Sequence, residues 1–212
     1  SSSDMFSHCI NLNEIFAHNF DTSNFDSMSY MFCECTSLKS LDLSSWDMSN
    51  VLNIYWMFAG CKALKELKLF DLSSGNITEI AHAFYHCESL KTIHFPNWNT
   101  QNVTDMYGLF EYCEALTDVN VTDLDTRNVL NMSKMFAYCK SFTELTLTNW
   151  NTSKVTNMDS MFRGCISLKT VKPSNWNTRN VISMNSMFSG CINLISVDMS
   201  ALDMSNVIDM SY

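Results

Sequence analysis

Cysteine is the most reactive residue type in this sequence, and it recurs in a regular pattern. A thiol can act as a nucleophile, a metal ligand or half of a disulfide, or it can pack as a small apolar group. Which of these roles applies depends on the structural elements that position the thiols. Eight of the nine cysteines follow one another at a constant step of 26 residues: Cys9, Cys35, Cys61, Cys87, Cys113, Cys139, Cys165 and Cys191.

The constant step favours a structural role for these cysteines. Equivalent residues on stacked repeats point in the same direction, whereas a disulfide needs a near-perpendicular torsion and zinc needs ligands that converge from several sides. We therefore predict a buried, reduced cysteine ladder, with disulfide pairing and metal binding or catalysis as the alternatives. Cys33 lies outside the ladder and is the better candidate for a reactive or intermolecular thiol.

One group of polar residues has the spacing of a metal site. Glu79, His82 and His86 stand at positions i, i+3 and i+7, so a continuous helix would bring all three to one face, as a transition metal requires. The alternative is that these are solvent-facing positions that vary between repeats, as Trp56 and Lys134 do elsewhere. On that interpretation the chain has no metal site.

Other features argue against an enzyme and against a nucleic-acid partner. The sequence has no glycine-rich phosphate loop, no nucleophile elbow and no isolated carboxylate pair, so we expect no catalysis and no cofactor. The net charge of −9, with 13 basic residues, gives the wrong field for nucleic acid or for an anionic membrane surface. No apolar run is long enough to cross a membrane, so we expect no membrane insertion.

The elements that position the cysteines are repeats of 26 residues. A phenylalanine precedes each ladder cysteine by three positions, from Phe6 to Phe188, with no insertion anywhere. Such a period indicates a solenoid in which each unit packs on the next. We assign residues 1–212 to one solenoid, as a piece of a longer protein, with units at 5–30, 31–56, 57–82, 83–108, 109–134, 135–160, 161–186 and 187–212.

Within a unit the spacing of apolar residues predicts a helix followed by a short strand. Val155, Met158, Met161, Phe162 and Cys165 fall on one stripe of a three-turn helix, which Thr152 or Ser153 could cap. The leucines that follow have the L-x-x-L-x-L spacing of a short buried strand, as at 38, 41 and 43. The predicted fold is therefore an α/β repeat solenoid, like a leucine-rich repeat, with eight helix–strand units and one parallel sheet of short strands.

The repeat also resembles a known family. The strings SLKSLDLSSWDMSNV at 37–51 and NWNTSKVTNMDSMFRGC at 149–165 are similar to the repeats of BspA-like leucine-rich-repeat surface proteins, and the similarity covers all eight units. This resemblance implies a secreted or surface-attached protein. It also implies adhesion to host proteins, matrix proteins or other cells.

The predicted strands present two columns of side chains that change from unit to unit. One column contains Phe16, Lys68 and His94, and Phe70 lies close to it. Phe16, Lys68, Phe70 and His94 form our candidate contact region. The function predicted is a non-enzymatic adhesion module, outside the cell or on its surface, that binds a protein or glycan of a host or neighbouring cell.

The alternative function is structural. Neither end of the sequence has the atypical polar unit that normally caps a solenoid. The chain could then be a spacer or filament subunit whose copies associate end to end.

Overall fold

Parallel coils of 26 residues build the fold. The computed structural model describes residues 2–73, 76–173, 176–200 and 202–211. Every strand pairing in this part of the chain is parallel, and paired residues lie 26 positions apart, as in Ser40↔Glu66 and Thr170↔Ser196. The strands are β1 (Ser40–Asp42), β2 (Glu66–Lys68), β3 (Thr92–Ile93), β4 (Asp118–Val119), β5 (Glu144–Thr146), β6 (Thr170–Lys172) and β7 (Ser196–Val197).

The strands form three small sheets, so the prediction of one continuous sheet is wrong. The sheets are β1-β2, β3-β4 and β5-β6-β7. With two or three residues in each strand, a local backbone shift is enough to interrupt the ladder. One such shift lies beside β2, where Trp98 Nε1 donates to the carbonyl of Phe70, 28 positions earlier. The other core tryptophans that bond in this way donate to a carbonyl 29 positions earlier.

A second ladder ties the coils together on another side. Single parallel bridges join equivalent residues of every pair of neighbouring coils, from Ser27↔Asn53 to Ser183↔Asp209. Adjacent hydrogen-bonded strands lie about 4.8 Å apart. Both ladders therefore hold the coils at strand spacing.

The predicted helices are absent from the described residues, where consecutive tight turns take their place. In one coil the amide N–H groups of Met31, Cys33 and Cys35 donate to carbonyls three residues earlier. The amides between them donate to the next coil, as Phe32 does to Met57. A helix would keep all these bonds internal, and its diameter of about 10 Å would not fit the strand spacing of the bridges.

Two left-handed residues in each coil make the turns possible. Tyr30 and Glu34 have φ angles of 57°, and equivalent positions have positive φ throughout the stack. Thr152, predicted as a helix cap, is buried and hydrogen-bonds both the carbonyl and the amide of Asn177 in the next coil. It therefore links coils.

The core is a set of ladders that run along the stack. The phenylalanines from Phe6 to Phe188 stack face to face, with ring centroids 5.4 to 5.9 Å apart. Beside them each buried ladder cysteine donates its Sγ proton to the carbonyl of a phenylalanine in the preceding coil, as Cys113 does to Phe84 at 3.1 Å. The thiols thus pack as small side chains with their single donor satisfied.

Candidate binding surfaces

The predicted contact region is only partly exposed. Phe16 is 82% exposed, and Lys68 and His94 are also on the surface. Phe70 is fully buried, and its ring stacks on Trp98 at 5.7 Å. The assignment of Phe70 to the contact region is therefore wrong, because the local backbone shift turns its side chain into the core.

We call the side of the coils formed by the exposed residues of β1 to β7, together with Phe16 and His94, the strand face. It has a small cavity between Phe16 and Lys68. Its volume is about 190 Å³, and Glu14, Asp42 and Glu66 also line it. Lys68 Nζ lies 2.9 Å from Asp42 Oδ2. Hydrogen bonds from Ser44 and Lys68 hold the pKa of Asp42 well below its usual range, so this carboxylate is ionised at neutral pH. Asp42 and Lys68 are paired residues of β1 and β2, and Phe16 stands 26 positions before Asp42.

A second surface, which sequence reasoning missed, lies on the turn side of the coils. We call it the aromatic face, and it contains six of the seven tyrosines and Trp56. The other four tryptophans are in the core. The sequence signal was the concentration of these residues at two pairs of adjacent positions of the repeat. The tyrosines of this face are Tyr30, Tyr55, Tyr85, Tyr107, Tyr112 and Tyr138.

The aromatic face covers a buried polar cluster. His82 is 7% exposed, its Nδ1 has no hydrogen-bond partner among the described residues, and its ring lies 4.9 Å from Trp56. Burial lowers the pKa of His82 to about 4, with a smaller contribution from Lys134. Burial also raises the pKa of Glu111, whose Oε1 lies 3.9 Å from Lys134 Nζ.

A glycine makes room for this histidine. A Cβ atom on Gly108 would lie 2.5 Å from His82 Cε1 and Nδ1 and 3.2 Å from Glu111 Oε2. Gly108 therefore lets both side chains pack over its backbone. Any larger residue at this position would displace the imidazole.

His82 should make the stability of the protein depend on pH. The unfolded pKa is 6.5 and the folded pKa is about 4, so between these values the unfolded state binds the extra proton. Stability is then full above pH 6.5 and falls as the pH drops toward 4, by about 3 kcal/mol. Urea unfolding at a series of pH values measures this loss.

The matched variants for this pH test are His82→Phe and His94→Phe. His82→Phe should flatten the slope between pH 6.5 and 4, while His94→Phe, on the exposed strand face, should leave it unchanged. The raised pKa of Glu111 has the opposite effect on stability. In the pH range where Glu111 titrates, the folded state holds the proton more tightly, so stability rises as the pH falls. A wild-type slope in His82→Phe would contradict the assignment.

The residues suggested as a metal site do not converge. Glu79 is exposed in the bridge ladder and His82 is buried. His86 stacks on Tyr112 at 4.2 Å, and its Nδ1 lies 2.9 Å from Glu88. The i, i+3, i+7 argument required a helix, and tight turns send the three side chains to different environments. No group of three histidine, cysteine or acidic side chains within the described ranges could hold a metal ion.

Burial also determines the state of the thiols. Desolvation raises the pKa of Cys33 and Cys35 to about 11, and it raises those of Cys61, Cys87 and Cys139 well above the ordinary value. The interpretation of Cys33 as a reactive thiol is therefore wrong, since it is 5% exposed and stays protonated at neutral pH. Cys9, in the first coil, is the exposed cysteine among the described residues.

Three solved structures are similar to this chain at low identity. A leucine-rich repeat protein of T. pallidum is 21% identical, with a TM-score of 0.39, over 81% of this chain and 63% of that one. A leucine-rich repeat protein from Bacteroides ovatus is 17% identical, with a TM-score of 0.45, over 99% and 63%. A leucine rich cell surface protein from Faecalibacterium prausnitzii is 17% identical, with a TM-score of 0.34, over 87% and 75%.

The chain therefore spans less than two thirds of the length of the first two structures. No curated protein matches the sequence. Within the described ranges there is no helix long and apolar enough to cross a membrane.

A family profile accounts for the whole chain. The profile described as "Mycoplasma protein of unknown function, DUF285" matches residues 1–93, 78–172 and 142–212. These overlapping matches follow the solenoid from end to end. The chain is a repeat solenoid that belongs to the DUF285 family.

Proposed function

We propose that the chain is a non-enzymatic binding module of a secreted or cell-surface protein, and that it holds a protein or glycan partner on its strand face. The observation that supports this most directly is the alternation along the strands. In β5 the side chains of Glu144 and Thr146 are exposed and Leu145 between them is buried. The exposed positions can therefore change without changing the core.

The centre of the proposed contact is the end of the strand face around Phe16. Phe16 is a large apolar side chain in a column that is otherwise polar, and it borders the cavity that Lys68 also lines. A few large side chains, aromatic ones among them, commonly supply most of the binding energy of an interface by filling pockets of the partner. His94 extends this region along the same column.

The resemblance to BspA-like repeats supports the location and the adhesive role as parts of this proposal. Secretion would bring the strand face into contact with host or neighbouring cells. A solenoid offers such a partner an extended surface, because each coil adds one more row of side chains.

The test uses a triple variant, Phe16→Ser, Lys68→Glu and His94→Glu. Binding to cell-surface protein extracts and to immobilised glycans should fall by about tenfold or more. Phe70 stays unchanged, because replacing a fully buried phenylalanine would unfold the local core. Surface plasmon resonance against each captured partner gives the affinity.

The control carries Leu130→Ser, Lys62→Glu and Asn102→Glu. All three positions are exposed and lie off the strands, and the change in net charge equals that of the triple variant. Retained binding in the control together with loss in the triple variant supports the strand face. Equal loss in both would show that only net charge matters, and full binding by the triple variant would reject the proposal.

A further inference from the structure

The aromatic face contains a cavity that the strand-face function does not use. It has a volume of about 420 Å³, and its walls include Tyr30, Trp56, Asp4 and Glu34, with Cys33 also lining it. Small-molecule sites usually measure about 300 to 1,000 Å³, so the cavity can accept a long side chain or a small ligand.

Two aromatic rings form fixed walls of this cavity. Tyr30 and Trp56 are half-buried, with ring centroids 6.1 Å apart and an angle of 29° between the planes. Behind the cavity Trp56 packs against His82 and Tyr85, at 4.9 and 5.2 Å. The indole is therefore held in place before any ligand arrives, and its Nε1 has no hydrogen-bond partner within the described residues.

Two carboxylates complete the lining. Neither Asp4 nor Glu34 forms an ion pair within the described part of the chain, whereas Asp42 and Glu88 each have a lysine partner. Glu34 lies directly over Gly60, since a Cβ atom there would be 2.5 Å from Glu34 Cδ. Gly60 thus leaves room for the Glu34 side chain.

This combination of groups selects for an organic cation. The face of an aromatic ring attracts a positive charge, most strongly for tryptophan, and a carboxylate within a few ångströms adds a charge-assisted hydrogen bond. An anionic ligand would be repelled by Asp4 and Glu34. A neutral apolar ligand would remove the carboxylates from water without compensation, which is unfavourable.

The surroundings of the cavity favour a protein as the source of the cation. The tyrosines continue from the cavity along the same face, through Tyr55, Tyr85 and Tyr107. Tyrosine and tryptophan are enriched at protein interfaces, because each offers a large apolar surface with a polar group at its edge. The net charge of −9 also favours a basic partner.

We propose that this cavity binds the ammonium or guanidinium group of a lysine or arginine side chain on a basic protein partner. The aromatic face would then be a second binding surface, separate from the strand face. A partner could occupy either surface independently.

The test is an NMR titration of the intact chain with three probes: N-acetyl-lysine, N-acetyl-arginine and N-acetyl-norleucine, each as its N-methylamide. We expect lysine and arginine probes to give saturable shifts of the Trp56 indole N–H signal, and norleucine to give none. The indole signals of the core tryptophans serve as internal controls. His8 and Ser7 also line the cavity.

The variants then separate a local site from general electrostatics. Asp4→Asn with Glu34→Gln should weaken binding of the arginine probe by about tenfold or more. Glu144→Gln with Asp118→Asn makes the same charge change on exposed residues of the strand face and should leave binding intact. The proposal fails if no probe saturates, if norleucine binds as well as lysine, or if both pairs of substitutions weaken binding equally.

Discussion

One thiol of the nine, Cys9, should react rapidly with Ellman's reagent in the native protein. The ladder thiols from Cys35 to Cys165 are buried and satisfied by phenylalanine carbonyls, and the raised pKa values of most of them leave almost no thiolate, which is the reactive form. They should react only through opening of the coils, about 10³-fold or more slowly. Stopped-flow absorbance resolves the two phases.

Cys191 should be intermediate, since it is 9% exposed, whereas the ladder thiols from Cys35 to Cys165 are fully or almost fully buried. In guanidinium chloride all nine thiols should react at one rate. Cys9→Ser should remove the fast phase and leave the slow one. A native protein with several fast thiols would contradict the dry core, and fewer than nine thiols in the unfolded chain would reveal disulfides.

The core positions were predictable from the sequence, but the backbone that presents them was not. Met28, Met31, Phe32 and Cys35 are all buried, as a helical stripe requires. A series of tight turns returns a side chain to the same side every three or four residues, so it produces the same pattern. The difference lies in where the amides donate their hydrogen bonds. That depends on the neighbouring coil, which the pattern of apolar residues does not describe.

The same distinction between the pattern of side chains and the backbone that presents them explains which candidate sites could be predicted. The strand face was predictable because alternation along a strand is independent of what precedes it, and Phe16 and Lys68 do line one cavity. The cavity on the aromatic face unites Asp4, Tyr30, Glu34 and Trp56 from three coils. Stacked helices would have set the coils about 8 to 10 Å apart instead of at strand spacing, so the cavity could be found only in the structure. Phe70 was misplaced for another reason, a local backbone shift beside β2.

The phenylalanine ladder should dominate stability, so Phe110→Ala should be the most damaging of the substitutions discussed. Phe110 is fully buried between Phe84 and Phe136, at 5.6 and 5.5 Å, and its carbonyl accepts the Cys139 thiol proton. Removing such a ring costs about 3 to 5 kcal/mol. Because that loss approaches the total stability of many domains, urea unfolding should shift strongly to lower concentration.

The position of Phe110 in the middle of the stack makes its loss informative. In a solenoid each coil contacts only its neighbours, so a weak central coil should uncouple the two halves and broaden or split the transition. Phe188→Ala removes a ring that is only half-buried, so it should lower the free energy of unfolding by less and leave a single transition. Phe16→Ala should change stability by no more than about 0.5 kcal/mol, because its ring is exposed. Equal losses for Phe110 and Phe16 would show that the stacked rings do not hold the coils together.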